Sequence, residues 1–156
     1  MSDGKATTTR TTFRLESAVT TLINAPAANV LSLLTDLKAQ TEWNSTLTSI
    51  EGTVALGERV AMKVPEAPGR TFNVKVVAYD EAKSMVWREG FWPMFVGERT
   101  YRLSPGPEGS TRFSMIEVFR GLMLPMIAGR LPEFGPIFER YAADLKATAE
   151  ASVPNR

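Results

Sequence analysis

The chain is predicted to fold as an α+β domain, an antiparallel sheet covered by one long terminal helix, and three observations predict it. Residues 13–119 carry short segments of period-two alternation separated by Gly- and Pro-rich turns. Residues 134–149 carry an apolar stripe at spacings of three and four. Between the first strand and the others lies a helical segment started by a proline. A sheet with one apolar face needs a cover, and the terminal helix has the only long apolar stripe available.

In the first segment Phe13, Leu15, Ser17, Val19, Thr21 and Ile23 share one face, while Arg14, Glu16, Ala18 and Thr20 share the other. That is the pattern of a half-buried antiparallel strand. Asn24-Ala25-Pro26 ends it, and Pro26 suits a first helical turn because its missing N–H would have no partner there. Val30, Leu31, Leu33 and Leu34 give this helix an apolar face, and Thr35 or Asp36 can cap a second short helix. After Trp43-Asn44, strands are expected over 47–52, 57–64, 70–79 and 84–89, with Pro65-Glu66-Ala67-Pro68-Gly69 and Asp80-Glu81-Ala82-Lys83 as turns. In 70–79, Phe72, Val74, Val76 and Ala78 fall on one side. A last hairpin joins 96–103 to 111–119 through the Gly/Pro-rich run 104–110. Gly129, Pro132 and Pro136 make the lead-in to the terminal helix irregular, and the helix should end near Pro154. The polar, Thr-rich segment 1–12 reads as a flexible tail, and 13–153 as a single domain.

Composition excludes several kinds of function. The 18 basic and 17 acidic residues are dispersed, so no basic block tracks a phosphate backbone and nucleic acid is not an expected partner. With neither Cys nor His, thiolate metal sites, disulfides, cysteine nucleophiles and Ser-His-Asp triads are unavailable. No clustered Asp/Glu motif suggests a hard-metal site, so neither metal nor cofactor is expected. Any chemistry must rest on Arg, Glu, Asp, Tyr or Lys. The N-terminus lacks the apolar core of a signal peptide, and the apolar run 122–128 is broken by Pro125 and too short to span a bilayer. The reading is a cytoplasmic protein without a transmembrane segment, with monomer and homodimer both left open.

Several pieces, in order, resemble one family. They are Ala25-Pro26 at the helix start, Asp36 before Trp43-Asn44, Glu51-Gly52 with Gly57, Trp87, Gly97 with Arg99, Gly109-Ser110-Thr111-Arg112, and Glu117-Val118-Phe119-Arg120-Gly121. Together they resemble the START-like SRPBCC superfamily, which includes polyketide cyclases and birch-pollen-allergen-like proteins. The resemblance runs from Phe13 to Ala151. It implies a helix-grip fold, in which a curved antiparallel sheet wraps a long C-terminal helix, with two short helices after the first strand and a cavity between sheet and helix. It further implies a hydrophobic small-molecule partner, since members bind or transform polyketides, lipids, quinones and hormones.

The candidate ligand-binding residues are Met62, Phe72, Trp87, Phe91, Trp92, Phe95, Arg99, Tyr101, Phe113, Met115, Glu117, Phe134, Phe138 and Tyr141. Phe91, Trp92 and Phe95 gather two of the eight Phe and one of the three Trp in a stretch that reads either as a gate at a cavity mouth or as packing against the terminal helix. Methionines such as Met62 and Met115 suit an irregular lining, and they also fill ordinary cores, which is the commoner role for any single one. Arg99 shares strand parity with Tyr101 and Leu103, and Glu117 with Phe113, Met115 and Phe119. If those aromatic faces point inward, a guanidinium and a carboxylate meet across the last hairpin. Ile116 and Val118 hold the opposite parity, so the pattern alone leaves either face inward. Such a pair either satisfies itself or orients a bound carbonyl, enolate or carboxylate, which makes Arg99, Glu117 and Tyr141 the catalytic candidates. On the second reading, loss of Arg99 weakens binding without unfolding the domain.

Three functions fit. The first is binding of a hydrophobic or aromatic small molecule. The second is a cofactor-independent enzyme of the polyketide cyclase or dehydratase type. The third is a protein or lipid-surface interaction module using the Phe91–Phe95 stretch.

Overall fold

A computed structural model describes residues 3–81 and 83–153. Eight strands form one antiparallel sheet in the order β1-β2-β8-β7-β6-β5-β4-β3. These are β1 (Ala6–Thr11), β2 (Arg14–Ile23), β3 (Ser49–Gly52), β4 (Arg59–Lys63), β5 (Phe72–Asp80), β6 (Ser84–Phe91), β7 (Phe95–Pro105) and β8 (Thr111–Arg120). The helices are α1 (Ala27–Thr35), α2 (Leu37–Trp43), α3 (Leu124–Ile127) and α4 (Phe134–Ala151). This is the helix-grip arrangement: α1 and α2 follow the long strand β2, and α4 lies along β2 and β1 with its apolar stripe turned inward. Phe138, Tyr141, Ala142, Leu145 and Ala149 of α4 are buried. Each large apolar side chain so buried contributes roughly 1.5–3 kcal/mol relative to exposure.

The segment expected as a tail carries β1. Its threonines are β-branched and favour extended backbone, and an edge strand with a wet outer face needs no apolar face to form. Register with β2 is continuous from Ala6↔Val19 to Thr11↔Arg14, and the Glu139 carboxylate of α4 accepts the Ala6 N–H at 2.9 Å. Residues 1 and 2 of that segment lie outside the described residues, as does Pro154 beyond the terminal helix. Phe13 sits in the β1–β2 turn and is half-exposed, so β2 begins one residue later than its alternation suggests.

A second difference arises in β5. Val76 pairs with Trp87 and Ala78 with Val86, leaving Val77 as the extra residue of a β-bulge. One inserted residue exchanges the two faces downstream. Ala78 is therefore exposed, and Tyr79 packs against the core opposite Met85.

Polar side chains tie the helices to the sheet. Asp36 caps α2 by accepting from the Ala39 N–H. Asn44 donates to the Gln40 side chain at 3.1 Å and accepts from both the Thr46 N–H and hydroxyl, while Gln40 donates to the Leu34 carbonyl. Asp36 and Asn44 thus have structural roles. In the second half of α4, Asp144 accepts from Ser45, Lys146 donates to the Leu22 carbonyl at 2.6 Å, and Glu150 accepts the Asn24 N–H. At the opposite end, Gly121 joins the β6–β7 turn. Its φ is +138°, and a Cβ there would lie 2.3 Å from the Met94 carbonyl oxygen, so only glycine permits this approach.

Candidate functional site

The register of the last hairpin brings the charged pair together. Arg99 of β7 lies directly across from Glu117 of β8, and the Arg99 Nε–H donates to Glu117 Oε2. Their side chains are only 19% and 12% exposed. The aromatic faces point inward: Tyr101, Leu103, Phe113, Met115 and Phe119 are buried, whereas Ile116 and Val118 are half-buried on the other face.

Aromatic rings enclose the pair. The Arg99 guanidinium lies 5.1 Å from the centroid of the Phe138 ring. Tyr141 of α4 stacks on Phe113 at 6.1 Å and meets Tyr101 at 6.2 Å, and Trp43 abuts it edge-on at 5.7 Å. Trp87 packs on Tyr101 at 5.1 Å. Toward the Gly121 end, Phe119 stacks between Phe95 at 5.6 Å and Phe134 at 5.1 Å. The Trp43 and Trp87 indole N–H groups are buried and find no protein acceptor among the described residues.

Electrostatics within the enclosure follow from burial and proximity. Desolvation works against the Arg99 cation, but the adjacent Glu117 carboxylate, together with Tyr101 and Tyr141, outweighs it and holds the guanidinium more firmly protonated than usual. Burial pushes the Tyr101 hydroxyl up, with Arg99 pulling it partly back, and burial pushes the Tyr141 hydroxyl well up. Both phenols therefore remain protonated donors at neutral pH.

Glu89 was not among the residues singled out from sequence. It follows Met85 and Trp87 at the same parity of β6, lies across from Gly97, and has no ion-pair partner within 4.0 Å among the described residues. That parity was the signal available. Burial, then repulsion from Glu117, raises its pKa. The folded protein consequently holds the Glu89 proton more tightly than the unfolded chain, a stabilising contribution that is complete below the unfolded carboxylate range and lost as pH rises through the folded value. Glu89→Gln should remove that loss. Urea midpoints from about pH 4 to about pH 8 should fall less in the variant than in the parent, and equal slopes would exclude an effect of Glu89.

The remaining candidates divide. Phe91 and Trp92 are 71% and 65% exposed and take no part in the enclosure, because β6 runs on to Phe91 and turns outward through Trp92-Pro93-Met94, with Trp92-Pro93 cis. Met62 and Phe72 are cross-strand partners on β4 and β5, both half-buried, with the Arg70 guanidinium 4.6 Å from the Phe72 ring centroid. Met115 is buried in the core. A small apolar cleft opens between α1 and the sheet, lined by Leu31, Leu34, Tyr79, Met85, Tyr101 and Leu103. Tyr101 is common to the cleft and the charged cluster. Among the described residues no group of three or more acidic side chains is placed to hold a metal, and no helix is long and apolar enough to cross a membrane.

A curved sheet gripping a long helix, with polar groups set into the aromatic interior, defines a START-like domain. The sequence pattern of the polyketide cyclase/dehydrase and lipid transport family matches residues 14–150, and the chain belongs to that family. Solved structures share the fold at low identity. A START superfamily protein from Mycobacterium smegmatis is 18% identical, covering 88% of this chain and 99% of its own, with a TM-score of 0.65. Norcoclaurine synthase from Thalictrum flavum, in complex with dopamine and hydroxybenzaldehyde, is 13% identical, covering 95% and 91%, with a TM-score of 0.66. A hypothetical protein from Helicobacter pylori is 11% identical, covering 85% and 86%, with a TM-score of 0.69. No curated protein matches the sequence.

Proposed function

We propose that the chain binds a hydrophobic or aromatic small molecule in the interior between the curved sheet and α4, with Arg99 and Glu117 orienting its polar group. The observation that carries this reading is the largely buried Arg99–Glu117 pair inside an aromatic enclosure. A core selected for stability alone gains little from such a pair, since well-packed apolar residues of equal volume serve as well or better. A binding site does need a few fixed polar groups in an apolar lining. Arg99 commits its Nε–H to Glu117, and its terminal nitrogens carry four further donors suited to a carbonyl, enolate or carboxylate. Family membership supports a hydrophobic ligand.

Native mass spectrometry of freshly purified protein, beside the same sample denatured, tests the reading. The expected result is an added mass, lost on denaturation, matching a lipid, quinone or polyketide-like aromatic. Consistently bare protein whose melting is also unmoved by aromatic carboxylic acids would overturn it.

Glu89 favours a second reading, metal-free chemistry of the polyketide cyclase or dehydratase type. A carboxyl with raised pKa beside a fixed guanidinium can transfer a proton while Arg99 stabilises the developing enolate, with Tyr141 as a further donor.

A further inference from the structure

The Gly121 end of the molecule carries an unpartnered apolar surface. Six large hydrophobic residues stand out as exposed among the described residues, and five of them, Phe13, Phe91, Trp92, Leu122 and Met126, belong to the segments that meet here. Backbone hydrogen bonds join those segments: Gly121 N–H to the Phe13 carbonyl at 3.1 Å, Leu122 to Pro93 at 3.0 Å, and Met123 to Met94 at 2.9 Å. Exposures run from 51% for Phe13 to 74% for Met126. Exposed large hydrophobics gathered on segments joined in this way point to an interaction surface rather than to scattered surface hydrophobicity.

Its charge selects the partner. Segments 10–15, 90–97 and 119–132, which build this end, contain Arg10, Arg14, Arg120 and Arg130, with Glu16, Glu89, Glu98 and Glu133 each standing one residue beyond them. Arg14 and Arg120 lie directly across from each other on β2 and β8, an arrangement of like charges that costs stability in isolation. Glu16 lies 2.8 Å from Arg14 and Glu98 lies 3.9 Å from Arg120, yet both arginine side chains remain 48% exposed. The Arg120 guanidinium also sits 5.4 Å from the centroid of the Trp92 ring. A tryptophan beside arginines, with aliphatic and sulfur-bearing side chains next to them, is the chemistry of the bilayer interface, where indole sits at headgroup depth and arginine meets lipid phosphate. We propose that this end docks on the surface of an anionic lipid bilayer, with Trp92, Leu122 and Met126 entering the headgroup layer and Arg14 and Arg120 neutralising lipid phosphates. The proposal stands apart from what the interior binds.

The test uses the full chain with vesicles of phosphatidylcholine alone and of phosphatidylcholine containing phosphatidylglycerol. Of the three tryptophans, Trp87 is buried, Trp43 is half-buried and Trp92 is exposed, so an emission shift on mixing reports chiefly Trp92. Co-flotation with the anionic vesicles and a blue shift are expected, both weakened by salt. Arg14→Gln with Arg120→Gln should lower partitioning about tenfold or more. Leu122→Ser with Met126→Ser should abolish the blue shift while melting like the parent, since both side chains are mainly exposed. The proposal is overturned by absence of flotation with anionic vesicles at low salt, by equal binding to neutral vesicles, or by unchanged binding of both double variants. Concentration-dependent self-association lost in the Leu122/Met126 variant, without vesicle binding, would instead assign the surface to a second copy of the chain.

Discussion

Replacing Arg99 with leucine is expected to lower the stability of the fold by about 3–5 kcal/mol, the typical effect of removing one partner of a buried ion pair. Glu117, whose side chain is only 12% exposed in the parent, would lose the cation that faces it. From the sequence alone, loss of Arg99 reads as a binding defect in an intact domain. The enclosure by Phe138, Tyr101 and Tyr141 puts the stability effect first. The companion variant separates the two: Arg99→Leu together with Glu117→Leu should recover most of the lost stability, because neither charge is then stranded. Urea unfolding of the parent, both single variants and the double variant measures the coupling. If the double variant is as unstable as Arg99→Leu, the pair is required by the fold itself. A recovered double variant that no longer carries a ligand would place the pair's value in binding.

Phe113→Ala should cost a similar amount, about 3–5 kcal/mol. Phe113 is wholly buried and lies almost parallel to the Tyr141 ring, with 8° between the planes. Its loss opens a dry, apolar space beside Tyr141. A cavity of this kind accepts a small aromatic, and any molecule that binds only the folded state raises its melting temperature. Toluene or indole should therefore restore part of the lost melting temperature in the variant and affect the parent less. No difference between the two proteins would mean that the surrounding side chains collapse into the space.

Much of this architecture was legible in the sequence because period and punctuation are local. The alternation of 96–103 and 111–119 placed Arg99 and Glu117 across a hairpin, and they are direct partners. The stripe from Phe134 onward gave α4, and Asp36 caps α2. What escaped depends on partners distant in sequence. Six residues of threonine-rich chain become β1 because β2 offers an edge and Glu139 a hydrogen bond, and neither is visible from residues 6–11. The bulge at Val77 is fixed by pairing with β6, and without it Ala78 and Tyr79 are assigned to the wrong faces. Phe91 and Trp92 read from sequence either as a gate or as packing on the terminal helix, and the course of the β6–β7 turn, which leaves them exposed, is not visible in their local pattern. Glu89 could have been read from its parity with Trp87; its lack of a partner could not.

The side-chain bonds of α4 are unevenly distributed, and that asymmetry decides where the molecule can breathe. Asp144, Lys146 and Glu150 latch the C-terminal half to Ser45, Leu22 and Asn24, and the Gln40–Asn44–Thr46 cluster bolts α2 beside it. The first turn of the helix lacks such a fastening: Glu133 contributes no side-chain cap, and the chain before it runs through the short α3 with Met126 exposed. Local opening follows the weakest set of bonds. The latched half is then the firmer one, and the stretch from Pro125 to Phe134, beyond the backbone bonds of residues 121–123 and the buried Leu124, is the door, with Phe134 closing on Phe119. A molecule reaching Arg99 and Glu117 would pass through that door, which hangs on the same end of the protein as Trp92 and the exposed arginines.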